Sequence, residues 1–327
     1  MNARQSPDIV VAGLSSVDVV VSSDTFEVGV QNPADIRISP GGVGNAVSAM
    51  FGLGVSVGVS TRVRRDVFGD YLIGCWRGMG VDTTGVVIDD NLPTGAAVVL
   101  NHTSERTPFY DQGAIAAFGA GDVPREYIES SKVFLIFFAG ALPSLDGRPM
   151  LELVRACHEN GVAVILDLTD KLGADYSSVI DCLPYVNLVV NSVEAERMTG
   201  CKEPSKAVER LYRMAGGVLE IKCFAVTSSS AVSYIYEMDG SPVIKTIRSP
   251  FYGMPVKDVV GAGDAFRAGL AVYMSNYYKQ WRSGILDWNK AFVHASAVAY
   301  LYLSRDRNAG PPSASDVERL IEESKER

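Results

Sequence analysis

The stretch Gly261-Ala262-Gly263-Asp264 follows an extended run and opens an apolar helical segment. Glycines at 261 and 263 remove side chains where backbone must come close to a partner. The first N–H groups of a helix have no intrahelical acceptors, and the helix dipole adds to them, so this turn is a ready site for an anion. Asp264 lies within it. A carboxylate beside a bound phosphate is repelled, unless its task is to take a proton from a hydroxyl that attacks that phosphate. Phosphoryl transfer needs such parts: an anion cradle, a base and a nucleophile held in line. The plainer alternative is an acidic residue that stabilises a helix start.

Three further groups stand at places where chain direction changes. Asp18 follows the first strand in Gly13-Leu14-Ser15-Ser16-Val17-Asp18. A carboxylate there suits two hydroxyls of one ligand, because it accepts two short bonds at once; it also suits a turn cap. Pro40-Gly41-Gly42-Val43-Gly44-Asn45 precedes the first long helix. It is either a ligand-contacting loop or a glycine-rich turn with Asn45 as the cap. Asn191-x-x-Glu194 follows a strand at 186–190 and has the spacing of a capping box.

Taken together, these residues resemble the ribokinase-like (PfkB) carbohydrate kinase family. Asp258-Val259-Val260-Gly261-Ala262-Gly263-Asp264 is similar to the family's second signature, D-T-x-G-A-G-D, with Val259 in place of the usual Thr. The resemblance implies that Asp264 is the catalytic base and that the N–H groups of Gly261, Ala262 and Gly263 form the anion hole. It also implies ATP and Mg2+, and a monovalent cation as a further expectation. The segment from Gly41 is similar to the first signature, G-G-x-x-x-N, with the Asn one position early and Ala46 in the usual place. By resemblance, Asp18, Gly41, Gly42 and Asn45 bind the sugar. Asn191-x-x-Glu194 matches the family's N-x-x-E. This implies that Asn191 meets the nucleotide and that Glu194 meets magnesium through water, as suits a hard ion that keeps its hydration. Ala225-Val226-Thr227 stands where the family has V-T-x-G, but Ser228-Ser229-Ser230 follows without the Gly; Thr227 and Ser229 are the implied nucleotide contacts.

Weaker correspondences run through Phe68-Gly69, Gly80-Val81-Asp82, Pro93-Thr94-Gly95, Glu105-Arg106 and Asp167-Leu168-Thr169, where only the Asp matches a common D-x-N. Residues 291–302 and Asn308-Ala309-Gly310 are expected beside the adenine on family position.

The elements that must position these residues alternate. Strand-like runs at 9–12, 55–59, 133–139, 162–166, 186–190 and 223–226 are separated by helical stretches, among them 45–53 and 148–158. Such alternation predicts an α/β fold, a three-layer α/β/α sandwich with a mostly parallel central sheet. Residues 17–21 and 96–110 break the pattern as extended chain without crossover helices. They predict a small β-strand lid, with segments about 15–39 and 94–114, on a single kinase domain over 1–327. Helices from about 261, 287 and 315 close the chain, the last with a capping box at Ser315-x-x-Glu318.

Composition bounds the rest. The chain has 327 residues, 47% of them hydrophobic, enough for a sizeable core. Thirty basic against 38 acidic residues give a formal charge of −8, which disfavours a nucleic-acid binder. Neighbouring cysteines among the five are 19 or more residues apart, so no C-x-x-C pair exists, and a reducing, cytoplasmic setting is expected. The longest apolar stretch, 133–142, is half of the ~20 residues that a membrane helix needs. His102, His158 and His294 have no metal spacing, there is no G-x-x-x-x-G-K-[ST], and Phe266 stands where a dinucleotide fingerprint needs Gly. Gly54-Val55-Ser56-Val57-Gly58 fits G-x-S-x-G but reads as strand rather than as a strand-to-helix turn.

The expectation is an ATP-dependent kinase acting on a primary hydroxyl of a sugar or sugar-like molecule. A nucleoside kinase on the same scaffold, with a base stacked on Phe109 or Tyr110, and a non-catalytic sugar- or nucleotide-binding regulator are the alternatives. Pairing of two copies through the lid is also expected, because an exposed β edge invites it.

Overall fold

The structure, a computed structural model, describes residues 6–27, 29–102, 105–169, 176–257, 260–305 and 311–326. In chain order the strands are β1 (Ile9–Gly13), β2 (Ser15–Ser22), β3 (Asp35–Gly42), β4 (Val57–Arg64), β5 (Asp82–Asp89), β6 (Ala96–His102), β7 (Glu105–Asp111), β8 (Val133–Ala139), β9 (Ala163–Leu168), β10 (Asn187–Asn191), β11 (Cys223–Thr227), β12 (Ala231–Met238) and β13 (Ser241–Arg248). The α-helices are α1 (Val43–Met50), α2 (Val67–Gly78), α3 (Arg125–Ser130), α4 (Arg148–Glu159), α5 (Ser177–Ile180), α6 (Ser192–Thr199), α7 (Pro204–Met214), α8 (Ala262–Asn276), α9 (Tyr278–Arg282), α10 (Trp288–Ser304) and α11 (Ala314–Lys325).

The larger sheet has nine strands in the order β13-β12-β11-β10-β9-β8-β1-β4-β5. All its pairs are parallel except β11 with β12 and β12 with β13. Its central strands are apolar on both faces, as a parallel sheet covered on both sides requires. Ile9 and Val11 face one core, shared with α1, α8 and α10; Val10 and Ala12 face a second, shared with α4 and α7. The three-layer α/β/α arrangement follows. The closing hairpin β12–β13 is an addition that the strand–helix alternation does not predict.

A smaller, separate sheet forms the lid, in the order β3-β2-β6-β7. Its period-2 alternation sorts two faces. Val20, Ala97 and Val99 are buried on the inner one, whereas Ile38, Val98 and Phe109 lie exposed in one rung of the outer one. The lid leaves the body where Gly42, at φ +56°, turns β3 into α1. A Cβ there would stand 2.2 Å from the Leu14 carbonyl oxygen, so only glycine fits.

Two carboxylates fasten the segment that returns into the lid. Asp66 caps α2 through the Gly69 N–H at 2.8 Å, and accepts the Thr94 N–H at 2.9 Å. Asp89 accepts the N–H groups of Asn91 and Leu92, both at 2.8 Å, and the Arg62 Nε at 2.7 Å.

Several boundaries differ from expectation. The first helix runs over 43–50 rather than 45–53, because the Gly42 turn starts it early. The last helix begins at Ser313, whose capping box is with Asp316 rather than between Ser315 and Glu318. Ser56 lies just ahead of β4 and donates to Asp8 at 2.8 Å, so it sits on no nucleophile turn. The cysteines are all free; Cys157, Cys182 and Cys223 are buried, Cys75 and Cys201 half-buried. No helix among the described residues is long and apolar enough to cross a membrane.

Bonds from the Leu92 N–H, Arg62 and the Asn91 N–H hold the Asp89 carboxyl at about 2, well below its usual value. That interaction is present above the unfolded carboxylate value near 4 and is lost as pH falls through about 2. Asp89→Asn is expected to cost about 1–2 kcal/mol at pH 7 in urea denaturation, with the difference from wild type shrinking below about pH 4.

Candidate active site

Helix α8 begins at the carboxyl edge of the large sheet, where open α/β folds bind ligands. Its N-cap is Gly261 in the left-handed region (φ 82°, ψ 11°), with no capping side chain. The first intrahelical bond runs from the Ala265 N–H to the Gly261 carbonyl at 2.9 Å. The N–H groups of Ala262 and Gly263 therefore have no acceptor within the helix. A Cβ at 261 would stand 3.2 Å from the Tyr302 ring and 3.4 Å from Asn45 Cγ, a close fit, and the left-handed backbone strains any residue but glycine there.

Asp264, half-buried in the first turn of α8, accepts the Asn45 Nδ2 at 2.9 Å. Asn45 in turn accepts the Tyr302 hydroxyl on Oδ1 at 3.3 Å. Asn45 is buried in α1, and Ala46 beside it is wholly inside the core.

One turn along α8, Arg267 is 6% exposed. Its Nε and Nη2 donate to the Val189 carbonyl at 3.1 and 3.0 Å. Nη2 also meets Asp167 at 2.5 Å and Glu194 at 3.7 Å. Burial favours a neutral guanidine, but the charges of Asp167, Glu194 and Asp264 outweigh it and hold the proton more tightly than usual. Nη1 lies 2.6 Å from where a Cβ on Gly263 would stand, so the guanidinium passes directly behind the glycine turn.

Asp18, Gly41 and the residues in register with them belong to the lid sheet itself. A Cβ on Gly41 would stand 2.0 Å from Asp18 Oδ1, so the loop backbone and the carboxylate are in close contact. Ser16 Oγ donates to Asp18 Oδ1 at 2.6 Å. Strand register puts Ser39, Asp18, Ala97 and Tyr110 in one rung of the inner face. Burial of the Tyr110 phenol and the nearby charges of Asp18 and Asp111 push its pKa up, so it remains a hydrogen-bond donor. Phe109, next in sequence, points to the opposite face and is 58% exposed. The two lid aromatics thus cannot sandwich one ring.

Asn191 ends β10 and caps α6, its Oδ1 accepting the Val193 and Glu194 N–H groups at 2.9 Å each. Glu194 Oε2 in turn accepts the Asn191 N–H at 2.8 Å, and Glu194 is 3% exposed. The capping box is therefore built, and its acid is the one that faces Arg267. Thr227 lies beside Asn191 in the β10–β11 register and donates to the Val190 carbonyl at 3.2 Å. Ser229 is exposed in the turn between β11 and β12. Ala291 and Phe292 of α10 are core residues.

The fold thus brings Gly261, Asp264 and Asn45 together, Gly263 and Glu194 around Arg267, and Asp18 with Gly41. Asp258, Val259 and 308–310 lie outside the described residues, as do the side chains of Glu105 and Arg106. Arg267 and Tyr302 are not singled out by sequence reasoning. For Arg267 a signal existed: with Asp264 it is the only charge in the fifteen residues of an otherwise apolar helix. For Tyr302 there was none.

Residues 6–309 match the family described as pfkB family carbohydrate kinase. The chain is 25% identical over 255 residues to the bifunctional protein HldE of Geobacter sulfurreducens, covering 74% of this chain and 48% of that one. It thus spans about half the length of that relative. It is 24% identical over 283 residues to a 5-dehydro-2-deoxygluconokinase of Shouchella clausii, covering 83% and 82% of the two chains. The fold superposes on an Arabidopsis thaliana ribokinase complexed with ribose and ATP at a TM-score of 0.71 and 22% identity, over 97% of this chain and 99% of that one.

Removing the guanidinium would leave Asp167 and Glu194 buried without their counter-charge. Arg267→Met is expected to lower stability by about 3–5 kcal/mol in chemical denaturation. Adding Asp167→Asn should restore part of that loss.

Proposed function

This chain belongs to the pfkB family of carbohydrate kinases, and from that premise we propose that it transfers the γ-phosphoryl group of ATP to a primary hydroxyl of a sugar or sugar-like acceptor. One observation carries the proposal. Asp264, in the first turn of a helix capped by a left-handed glycine, is one hydrogen bond from Asn45, which follows the loop packed on Asp18. Base, anion cradle and hydroxyl ligand are thereby joined in one strip along the mouth between lid and body.

Asp18 accepts hydrogen bonds from two acceptor hydroxyls, above the Gly41-Gly42 backbone. Asp264 takes the proton of the primary hydroxyl as its oxygen attacks the γ-phosphorus. The bond to the bridging oxygen breaks, and ADP leaves. Backbone N–H groups of Gly261, Ala262 and Gly263 stabilise the charge on the transferring group. Asn191, Thr227 and Ser229, at the carboxyl ends of β10 and β11, border the nucleotide. Closure of the lid excludes water and so limits idle ATP hydrolysis.

The site suits magnesium as a hydrated ion. Asp167, Glu194 and Asp264 converge on one guanidinium, and burial together with the neighbouring charges of Glu194 and Asp264 raises the proton affinity of Asp167, which a nearby cation would relieve. Among the described residues, however, no group of three such ligands could hold a metal directly. Glu194 and Asp167 would hold its water shell, and the ion would supply neutralising charge to the phosphates.

A sugar is favoured over a nucleoside because the inner rung offers Ser39, Asp18 and Tyr110 as polar partners around the small Ala97, whereas Phe109 faces away. An ADP-release assay across pentoses, hexoses, keto-acid sugars such as 5-dehydro-2-deoxygluconate, inositols and nucleosides should show turnover with a member of the sugar classes. Turnover with nucleosides alone would refute the sugar assignment. With the best acceptor, Asp264→Asn is expected to lower kcat by about 100-fold or more while leaving ATP affinity within about threefold. Near-wild-type turnover in that variant would remove the base.

A further inference from the structure

Asn45 makes two side-chain hydrogen bonds, and both go to protein. Its amide lies between Asp264 of α8 and Tyr302 of α10, at the point where those helices meet the start of α1. The chemistry of the partners fixes which way it points. An ionised carboxylate only accepts, so the amide must turn Nδ2 towards Asp264. Oδ1 then faces Tyr302, and the phenol must donate to it. The reversed amide would set two acceptors against each other at Asp264. Tyr302 therefore locks the end of the amide that Asp264 needs. The junction is closely packed: a Cβ on Gly261 would stand 3.2 Å from the Tyr302 ring and 3.4 Å from Asn45 Cγ.

Helix register explains the direction. Successive residues in a helix are turned by about 100°, so a shift of one position changes the neighbour that a side chain meets. Asn45 reaches across to α8, and Ala46, next along α1, is buried in the core. With 6% of its surface exposed and both ends of its amide engaged, Asn45 is placed to act on the carboxylate.

We infer that Asn45 is a positioning residue for the base and not a ligand of the acceptor: with Tyr302 orienting its amide, it fixes the rotamer of Asp264. This rests on Asp264 being the base. Among the described residues, the charged and titratable groups shown to face Asp264 are Arg267 on its own helix, Asp167 from β9 with Glu194 behind it, and Tyr302 from α10 beyond the amide.

The test is steady-state kinetics of Asn45→Asp and Tyr302→Phe with the best acceptor, as a function of pH. Asn45→Asp keeps the shape but replaces a donor with a like charge, which raises the proton affinity of the base. The expected result is a kcat lower by about tenfold or more at neutral pH, an acceptor KM within about threefold, and an acid limb moved to higher pH by about one unit or more. Tyr302→Phe should lower kcat by a few-fold, with acceptor KM and acid limb unchanged. An acceptor KM raised tenfold or more in Asn45→Asp, with kcat and acid limb preserved, would overturn the inference and make Asn45 an acceptor ligand. Wild-type kinetics in Tyr302→Phe would overturn it too, and that variant decides the matter if Asn45→Asp does not fold. The two levels separate cleanly. Turnover retained in Asp264→Asn refutes the base itself, whereas a dead Asp264→Asn beside a KM-only defect in Asn45→Asp refutes only the role of Asn45.

Discussion

The site depends on a single buried cation. Arg267 lies inside the body with its guanidinium on the Val189 carbonyl and the Asp167 carboxylate, and within reach of Glu194. Burying a charge costs several kcal/mol unless its partners are well placed, so such a group holds its surroundings to a narrow geometry. Here the surroundings are the ends of two neighbouring strands, the start of α6 and, behind Gly263, the first turn of α8. A helix start binds an anion only if its free N–H groups aim at a fixed place. The ion cluster ties the first turns of α8 to the edge of the parallel sheet.

The proposed transfer has a second requirement, a surface above that edge that binds hydroxyls and shuts out water. The lid suits it with a sheet of its own, two-faced because its side chains alternate. The inner rung sets Asp18 beside Tyr110, and the outer rung is apolar and exposed. Its returning segment is fastened by Asp66, Asp89 and Thr94, and its exit into α1 is a glycine turn that admits no other residue. The lid therefore hands its geometry on to α1, and through Asn45 to Asp264. Helices α1 and α8 are thus linked side chain to side chain, although 219 positions separate the two hydrogen-bonded residues.

Much of this was legible in the sequence. The strand–helix alternation gives the layered fold, because parallel strands buried on both faces must be apolar throughout; Val133–Ala139 is found where it was expected. Gly261 and Gly263 around an acidic first turn announce an anion site from residue types alone. Boundaries were less legible where a turn or cap decides them. The Gly42 turn starts α1 early, and Ser313 rather than Ser315 caps α11, since two serines at nearly equal spacing from an acid cannot be separated without knowing which amide is left unpaired. The hairpin β12–β13 was missed because an added antiparallel edge breaks no rule of the preceding alternation.

Residue types and local spacing determined by themselves that this chain forms a covered parallel sheet, that a helix start near 261 carries a carboxylate beside close-set glycines, and that Asp18 and Gly41 follow the first strand and precede the first helix. Only the tertiary structure decided what those groups touch. It put Arg267 behind the cradle, gave the amide of Asn45 to Asp264 and Tyr302, and turned Phe109 away from the site that Tyr110 faces. The physical reason is that periodicity sets the face on which a side chain lies within its own element. The partner it meets depends on how elements distant in sequence cross, and that is fixed by packing of the whole.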